Sequence, residues 1–120
     1  MFKAIIVVPC FNEAERLPAD RFIRFAAEHP EIGFWFIDDG SEDATQERLE
    51  ALAHSHPEVF RSHTLSENCG KAEAVRVGMQ HAMAEHPQFV GFWDADLATP
   101  LESILEFVQF LDARNSCEVV

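Results

Sequence analysis

The sequence predicts an α/β fold of the Rossmann-like, three-layer αβα type, with helices on both faces of a mostly parallel sheet. Four short apolar segments typical of strands alternate with four longer segments in which apolar residues recur at helical spacing. Strands and helices in strict alternation favour crossover connections between parallel strands. Ligands of such sheets bind beyond the carboxyl ends of the strands, which is where a functional site is expected.

The first half of the chain contains two predicted strands, at residues 3–8 and 32–37, whose continuous apolar runs are typical of strands buried on both faces. Capping-box spacing predicts a helix over residues 12–29, broken or restarted at Pro18. The same spacing predicts that the next helix begins at residues 43–46. The faces predicted to point inward are Phe22, Phe25 and Ala26 in the first helix, and Thr45, Leu49, Leu52 and Ala53 in the second.

In the second half, polar and apolar residues alternate at residues 59–65, which predicts a strand at an edge of the sheet. A helix is predicted over residues 70–85, followed by a strand buried on both faces at residues 89–93. Thr99, with Pro and Glu after it, predicts a helix start, and residues 117–120 are typical of the opening of a fifth strand. The inward faces predicted for these helices are Ala72, Val75, Met79, Ala82 and Met83, and Leu101, Ile104, Leu105, Val108 and Leu111.

The composition indicates one folded, acidic domain. A chain of 120 residues with 48% apolar residues can bury a single core. Its net charge of −12, from 21 acidic residues against 9 Lys and Arg, argues against a nucleic-acid partner, because phosphates are bound by basic residues. Cys10, Cys69 and Cys117 lack metal-ligand spacing and favour free thiols in a reducing cytosol. No apolar run approaches a membrane span and no signal peptide is expected, so a cytoplasmic location is predicted.

Polar side chains gather at the predicted carboxyl ends of the strands. Carboxylates from three loops, together with a lysine, should meet at one rim of the sheet, and this convergence predicts a ligand site. The residues are Pro9, Asn12 and Glu13 after the first strand, Asp38, Asp39, Gly40 and Ser41 after the second, Glu67, Asn68, Gly70 and Lys71 after the third, and Asp94 and Asp96 after the fourth.

Asp94 and Asp96 are two carboxylates one residue apart at the end of the fourth strand. Such groups repel each other unless a cation or the donors of a ligand compensate them. Mg²⁺ and Mn²⁺ prefer oxygen ligands, and Mg²⁺ usually shares them with substrate phosphates. The alternative is a solvated turn in which a carboxylate caps a helix, and the residues alone leave both interpretations open.

Asp38 and Asp39 end the second strand, and Gly40 allows the backbone to turn sharply after them. Their carboxylates could accept the N–H of a base or a ribose hydroxyl, or they could be acids placed near a helix N-terminus. Lys71 begins a helix, where backbone N–H groups and its own charge favour an anion. The alternative for Lys71 is an ordinary exposed lysine.

Four segments together resemble the family 2 glycosyltransferases of GT-A fold: Val-Val-Pro-Cys-Phe-Asn-Glu at residues 7–13, Ile-Asp-Asp-Gly-Ser at 37–41, Asn-Cys-Gly-Lys at 68–71 and Asp-Ala-Asp at 94–96. Within the family, three segments look most similar to the polyprenyl-phosphate (dolichyl-phosphate type) glucosyl- and mannosyltransferases: Arg-Leu-Pro at residues 16–18, Gly-Lys-x-x-Ala at 70–74 and Asp-Ala-Asp-Leu-Ala-Thr at 94–99. The Cys-Phe within the first segment departs from the small hydroxyl residue and Tyr usual in the family. The resemblance implies a nucleotide-diphospho-sugar-binding half of the GT-A type.

The resemblance also implies roles for individual residues. Asp38 and Asp39 would lie near the base and ribose, and Lys71 would approach the diphosphate or hold the loop beside it. Asp96, with Asp94, would bind Mg²⁺ or Mn²⁺, whose charge offsets that developing on the leaving nucleoside diphosphate. The residues implied to contact the donor, a UDP- or GDP-sugar, are Pro9, Glu13, Asp38, Asp39, Lys71 and Asp94.

Family members continue into a second half that supplies the catalytic base and the acceptor site. We therefore expect residues 1–120 to be a single nucleotide-sugar-binding domain, truncated at its C-terminal end, in which no residue can be assigned as the catalytic base. The full-length enzyme would transfer a sugar with inversion at the anomeric carbon. Its acceptor could be a polyprenyl phosphate, reached from a peripheral position at the cytoplasmic face of the membrane.

Three other classes stay open on the sequence. A phosphorelay receiver domain has this length and an acidic metal pocket, but its acid pair follows the first strand and a Lys follows the fifth. A phosphatase of the haloacid-dehalogenase type also carries Asp-x-Asp at a strand end, but on its first strand, with Thr or Val where this chain has Ala98. A non-catalytic interaction domain is the third alternative.

Overall fold

The structure, a computed structural model, describes the backbone of residues 1–119 and the side chains of residues 1–114. Its elements are β1 (Ala4–Cys10), α1 (Ala19–Glu28), β2 (Ile32–Asp38), α2 (Thr45–Ser55), β3 (Phe60–Thr64), α3 (Lys71–Met83), β4 (Phe89–Phe92) and α4 (Glu102–Val119). The strands form one sheet in the order β3-β2-β1-β4, and each neighbouring pair is parallel. The predicted α/β fold is confirmed.

Helices cover both faces of this sheet, which explains why β1 and β2 are apolar at successive positions. Alternate side chains of a strand point to opposite faces, so Ile6 and Phe34 pack on one side with α1, α2 and α4. Val7 and Ile37 pack on the other side, against α3. All three layers of the predicted architecture are therefore present.

Helix α3 lies close to the sheet because small residues face it. A Cβ atom added at Gly78 would lie 2.3 Å from Cγ1 of Val7 and 2.9 Å from Cγ1 of Ile37. The residues of α3 that are fully buried are Ala74, Gly78 and Ala82. The predicted inward face is confirmed for Ala82 and for Met79, which is half-buried against the core on this side of the sheet. It was wrong for Ala72 and Met83, which are exposed, and Val75 is only half-buried. Large apolar residues suggested that face, whereas the short distance to the sheet requires small ones.

The remaining inward faces agree better with the sequence. Phe22, Phe25 and Ala26 of α1 are buried, as are Thr45, Leu49 and Leu52 of α2, while Ala53 is half-buried. Helix α1 begins at Ala19 and not near residue 12, because Pro18 separates it from a turn in which the N–H of Leu17 donates to the carbonyl of Glu13 at 2.8 Å. The helix predicted over residues 12–18 is replaced by that turn.

Two predictions for the second half of the chain were wrong. Strand β4 pairs with β1 on one side and is an edge strand in the described sheet, so it is half-exposed and not buried on both faces. The fifth strand expected at residues 117–120 is not formed, because α4 continues through Cys117 to Val119, and Val120 lies outside the described residues. Leu101 and Ile104 are buried, Leu105 and Val108 are half-buried, and Leu111 is exposed. The edge position predicted for β3 is confirmed.

Within the described residues, no helix combines the length and the apolar character needed to cross a membrane.

Candidate functional site

The candidate site lies at the carboxyl ends of the strands, beside the point where the strand order reverses. The chain proceeds from β1 to β2 and β3 on one side and then places β4 on the other side of β1. A ligand cleft is expected at such a switch point. Cys10 is in register with Asp38, and Asp38 with Thr64, so the loops that follow these strands begin at one level. The predicted convergence of the strand ends is therefore found.

Asp39 is buried, with 4% of its surface exposed, and holds the loop that precedes α3. Its Oδ1 accepts the backbone N–H of Cys69 at 2.8 Å, and its Oδ2 accepts the backbone N–H of Gly70 at 3.0 Å. The side-chain amide of Asn68 donates to the same Oδ2 at 3.3 Å and to the Asp39 carbonyl at 3.1 Å. Both carboxylate oxygens of Asp39 therefore accept hydrogen bonds from residues 68–70, and these bonds fix the conformation of the loop before α3.

Gly40 lets this turn pack against the loop before α3. Its φ of +66° lies in the left-handed region, and an added Cβ would lie 2.4 Å from the carbonyl carbon of Glu67. The same atom would lie 2.5 Å from the backbone nitrogen of Asn68. A side chain therefore cannot be accommodated at residue 40 without moving the loop.

Asp38 and Glu13 each present a buried carboxylate oxygen without a hydrogen-bond partner, Oδ2 of Asp38 and Oε2 of Glu13. Oδ1 of Asp38 is satisfied by the backbone N–H of Ser41 at 3.1 Å and by the Ser41 hydroxyl. Oε1 of Glu13 lies 3.5 Å from Nη2 of Arg16. A buried acceptor left unpaired is costly, so these two oxygens call for donors from water or from a ligand.

Cys10 lies close to both of these carboxylates. Burial, followed by the negative charges of Glu13 and Asp38, raises the pKa of the Cys10 thiol far above its usual value. The thiol therefore stays protonated, which makes it a poor nucleophile. Pro9, the residue of β1 predicted from the sequence to lie at the rim, is half-buried one position earlier.

Hydrogen bonds join the loop after β1 to the loop after β2. The backbone N–H of Asn12 donates to Oγ of Ser41 at 2.9 Å, and Oδ1 of Asn12 accepts the N–H of Glu42 at 3.0 Å. The backbone N–H of Glu13 donates to Oγ1 of Thr45 at 2.8 Å. Thr45 also donates from its hydroxyl to Asp43, which lowers the pKa of that carboxyl. The sequence pointed to Asn12 and Ser41 only as polar residues of the rim, and it gave no signal for these contacts between loops.

Lys71 and Asp94 form an ion pair across the mouth of the site. Nζ of Lys71 lies 2.5 Å from Oδ1 of Asp94, and it lies 5.9 Å from the ring centroid of Phe92. Asp96 is exposed, and its Oδ1 accepts the backbone N–H of Ala98 at 3.0 Å. This last bond closes a local turn and caps no helix, because α4 begins only at Glu102. It uses one oxygen of Asp96 and leaves the other available.

The donor set suits a divalent ion that shares its ligands with a substrate. In the part of the chain that the structure describes, no group of three or more His, Cys, Asp or Glu side chains could enclose a metal ion. Asp94 and Asp96 offer carboxylate oxygens, which are hard ligands. Mg²⁺ is commonly bound by one or two carboxylates together with waters and substrate phosphates, so two aspartates fit such an ion.

The sheet is parallel, and at its switch point it carries acidic residues, two of which have carboxylate oxygens without a hydrogen-bond partner. These features define a Rossmann-like α/β protein with a candidate ligand site at the carboxyl ends of its strands. The sequence model of the family described as "Glycosyl transferase family 2" matches residues 5–120. The chain belongs to glycosyl transferase family 2, as the resemblance of its motifs predicted.

Individual relatives agree with this assignment. The chain is 35% identical over 112 residues to a prophage bactoprenol glucosyl transferase homologue of Escherichia coli strain K12, covering 89% of this chain and 35% of that protein. It is 34% identical over 108 residues to a dolichyl-phosphate beta-glucosyltransferase of Trichomonas vaginalis, covering 83% of this chain and 31% of that protein. The chain thus spans about a third of the length of the curated relatives it matches.

A solved structure shows the same fold. A mannosyltransferase from Pyrobaculum calidifontis, in complex with GDP-Man and Mn²⁺, superposes with a TM-score of 0.70 at 23% sequence identity. The superposition covers 86% of this chain and 30% of the mannosyltransferase. The chain therefore has the fold of a glycosyltransferase domain of the GT-A type.

Proposed function

We propose that this chain binds a nucleotide-diphospho-sugar and forms the donor half of an inverting glycosyltransferase. The observation that carries the proposal is the pair of buried, unpartnered oxygens on Glu13 and Asp38 at the switch point of a family 2 domain. Carboxylates are acceptors only, so they match the N–H groups of a base and the hydroxyls of a ribose. Pro9 and Asp39 would border the nucleotide, Asp39 through the loop it holds.

The other end of the donor would lie near Lys71, Asp94 and Asp96. The two aspartates would bind Mg²⁺ or Mn²⁺ together with the diphosphate, as an Asp-x-Asp motif. When bound, the metal would offset the negative charge that develops on the leaving nucleoside diphosphate. The Mn²⁺ and GDP-Man named for the Pyrobaculum mannosyltransferase support both the metal and the class of donor.

The acceptor and the catalytic base would be supplied outside the donor half. The bactoprenol and dolichyl-phosphate names of the relatives support a polyprenyl phosphate as the acceptor of the full-length enzyme. Such an enzyme would work at the cytoplasmic face of a membrane. We expect residues 1–120 alone to bind the donor and to transfer no sugar.

Calorimetric titration with UDP-glucose and GDP-mannose, each with and without Mn²⁺, tests the proposal. Binding of at least one of them that requires Mn²⁺ is the expected result, and metal-dependent binding of neither would contradict the donor site. Glu13→Gln should weaken that binding, because an amide offers one acceptor oxygen in place of two. Glu15→Gln is the matched control, since Glu15 is exposed in the same loop.

A further inference from the structure

The ion pair between Lys71 and Asp94 occupies one of the two carboxylates proposed to bind metal. Nζ of Lys71 is 2.5 Å from Oδ1 of Asp94, and the pair connects the first residue of α3 with the loop after β4. We propose that Lys71 is a resident counterion of Asp94, which it leaves for the diphosphate when a divalent cation binds. This inference rests on the proposed function, and it adds that the lysine and the metal compete for one carboxylate.

The competition follows from charge. Asp94 and Asp96 lie one residue apart, and the lysine offsets part of their negative charge. A divalent ion held by Asp94 would repel an ammonium group bound to the same carboxylate, because like charges a few ångströms apart repel strongly. A diphosphate bound to that ion would then offer the ammonium group new anionic oxygens. Lysine suits such an exchange, because its charge sits at the end of a flexible stem.

The exposure of the pair makes the exchange easy. The side chains of Lys71 and Asp94 are 58% and 51% exposed, and exposed pairs of this kind contribute little to stability. Lys71 also lies 5.9 Å from the ring centroid of Phe92, which is itself half-exposed. This weak cation–π contact does not depend on Asp94 and would keep the ammonium group at the mouth of the site after it is released.

The exchange predicts a reciprocal coupling between the metal and the nucleotide. A diphosphate that draws Lys71 away from Asp94 raises the affinity for the metal, and a metal that displaces Lys71 raises the affinity for the diphosphate by the same factor. A lysine that only anchored the diphosphate would have no effect on the binding of metal alone. Metal binding without nucleotide is therefore the measurement that distinguishes the two roles.

The test compares Lys71→Met with Lys3→Met. Lys3 pairs with Asp112 at 2.6 Å and lies at the amino end of β1, on the side of the sheet opposite the carboxyl ends that form the site. Its replacement therefore removes the same charge and the same kind of pair away from the site. The affinity for Mn²⁺ alone, measured from the electron paramagnetic resonance of the free ion, should rise in Lys71→Met by up to about fivefold, the limit for an exposed pair. At saturating Mn²⁺, the affinity of Lys71→Met for UDP and GDP should fall. Lys3→Met should match the wild type in both measurements.

The outcomes separate this inference from the proposed function. If Lys71→Met binds Mn²⁺ no more tightly than the wild type, or if no chain binds Mn²⁺ at all, the counterion inference is wrong. Metal-dependent binding of nucleotide sugars to the wild type would still support the proposed function in the first case. If the Mn²⁺ affinity rises but neither UDP nor GDP binds any chain, exchange with a diphosphate is wrong and the donor site fails with it. Thermal unfolding without metal verifies that both variants are folded.

Discussion

Asp39 accepts the backbone N–H of Gly70 at 3.0 Å and thereby fixes the turn after β2 to the residue that precedes α3. Its other carboxylate oxygen holds the N–H of Cys69. Asp38, which has an unpartnered oxygen, immediately precedes Asp39 in the chain. Lys71, which pairs with Asp94, immediately follows Gly70. One buried carboxylate thus sets the relative position of two groups that the proposed donor would touch.

Asp39→Ala should lower the free energy of unfolding by about 2–4 kcal/mol, because it leaves buried donors of the loop without their charged acceptor. Asp39→Asn should cost less, since the amide oxygen keeps one of the bonds. Urea denaturation followed by circular dichroism measures both. Asp20→Ala, at an exposed position in the first turn of α1, is the control. An unchanged urea midpoint for Asp39→Ala would show that the loop is held by other contacts.

Gly40→Ala and Gly70→Ala should differ in cost although both glycines have positive φ. At Gly70, where φ is +97°, an added Cβ meets nothing within 4 Å, so the substitution costs about 1–3 kcal/mol of backbone strain. At Gly40 the added Cβ would also collide with the backbone of Glu67 and Asn68, which cannot rotate away. Gly40→Ala should therefore be the more destabilising change in thermal denaturation. Equal melting temperatures for the two variants would contradict the close packing at Gly40.

The fold was predictable because β1 and β2 are buried on both faces and therefore carry continuous apolar runs. The meeting of Lys71 and Asp94 was predictable for a related reason, since parallel strands bring their carboxyl ends to one rim. The inward face of α3 was only partly predictable from apolar spacing, because the close approach of α3 to the sheet depends on the absence of a side chain at Gly78. The sequence also gave no signal that both carboxylate oxygens of Asp39 accept backbone N–H groups of the loop before α3. That arrangement depends on backbone turns at Gly40 and Gly70.

His63 should make the domain less stable as the pH falls below neutral. Burial, followed by the nearby ring of His81 at 4.6 Å between centroids, lowers the pKa of His63 in the folded chain. Below the usual histidine pKa of about 6.5, the unfolded chain then binds more protons, so stability present above that pH is lost as the pH falls. His63→Gln should flatten this part of the stability–pH profile, and His81→Gln should flatten it less, because burial is the larger cause.

The stability–pH profiles of the wild type, His63→Gln and His81→Gln are measured by urea denaturation at several pH values between about 5 and 7.5, the range in which histidine titrates. Arg61 and Glu85 line the same surface cavity as His63 and His81. His54→Gln is the control, because His54 is exposed on α2. Parallel profiles for the wild type and His63→Gln would show that the lowered pKa of His63 does not affect stability.

Asp96→Asn should remove the metal dependence of donor binding and leave the fold intact. Asparagine keeps an acceptor oxygen for the N–H of Ala98, so the turn after β4 loses no hydrogen bond. The substitution removes the charge of the principal proposed metal ligand, which should weaken Mn²⁺ binding by more than about tenfold, as even the loss of an outer-shell partner can. Calorimetry with Mn²⁺ and each nucleotide sugar measures this loss, and Asp20→Asn, which removes the same charge from α1, should have no effect. Normal binding of metal and donor by Asp96→Asn would mean that the acidic pair after β4 is a solvated turn, as the alternative interpretation holds.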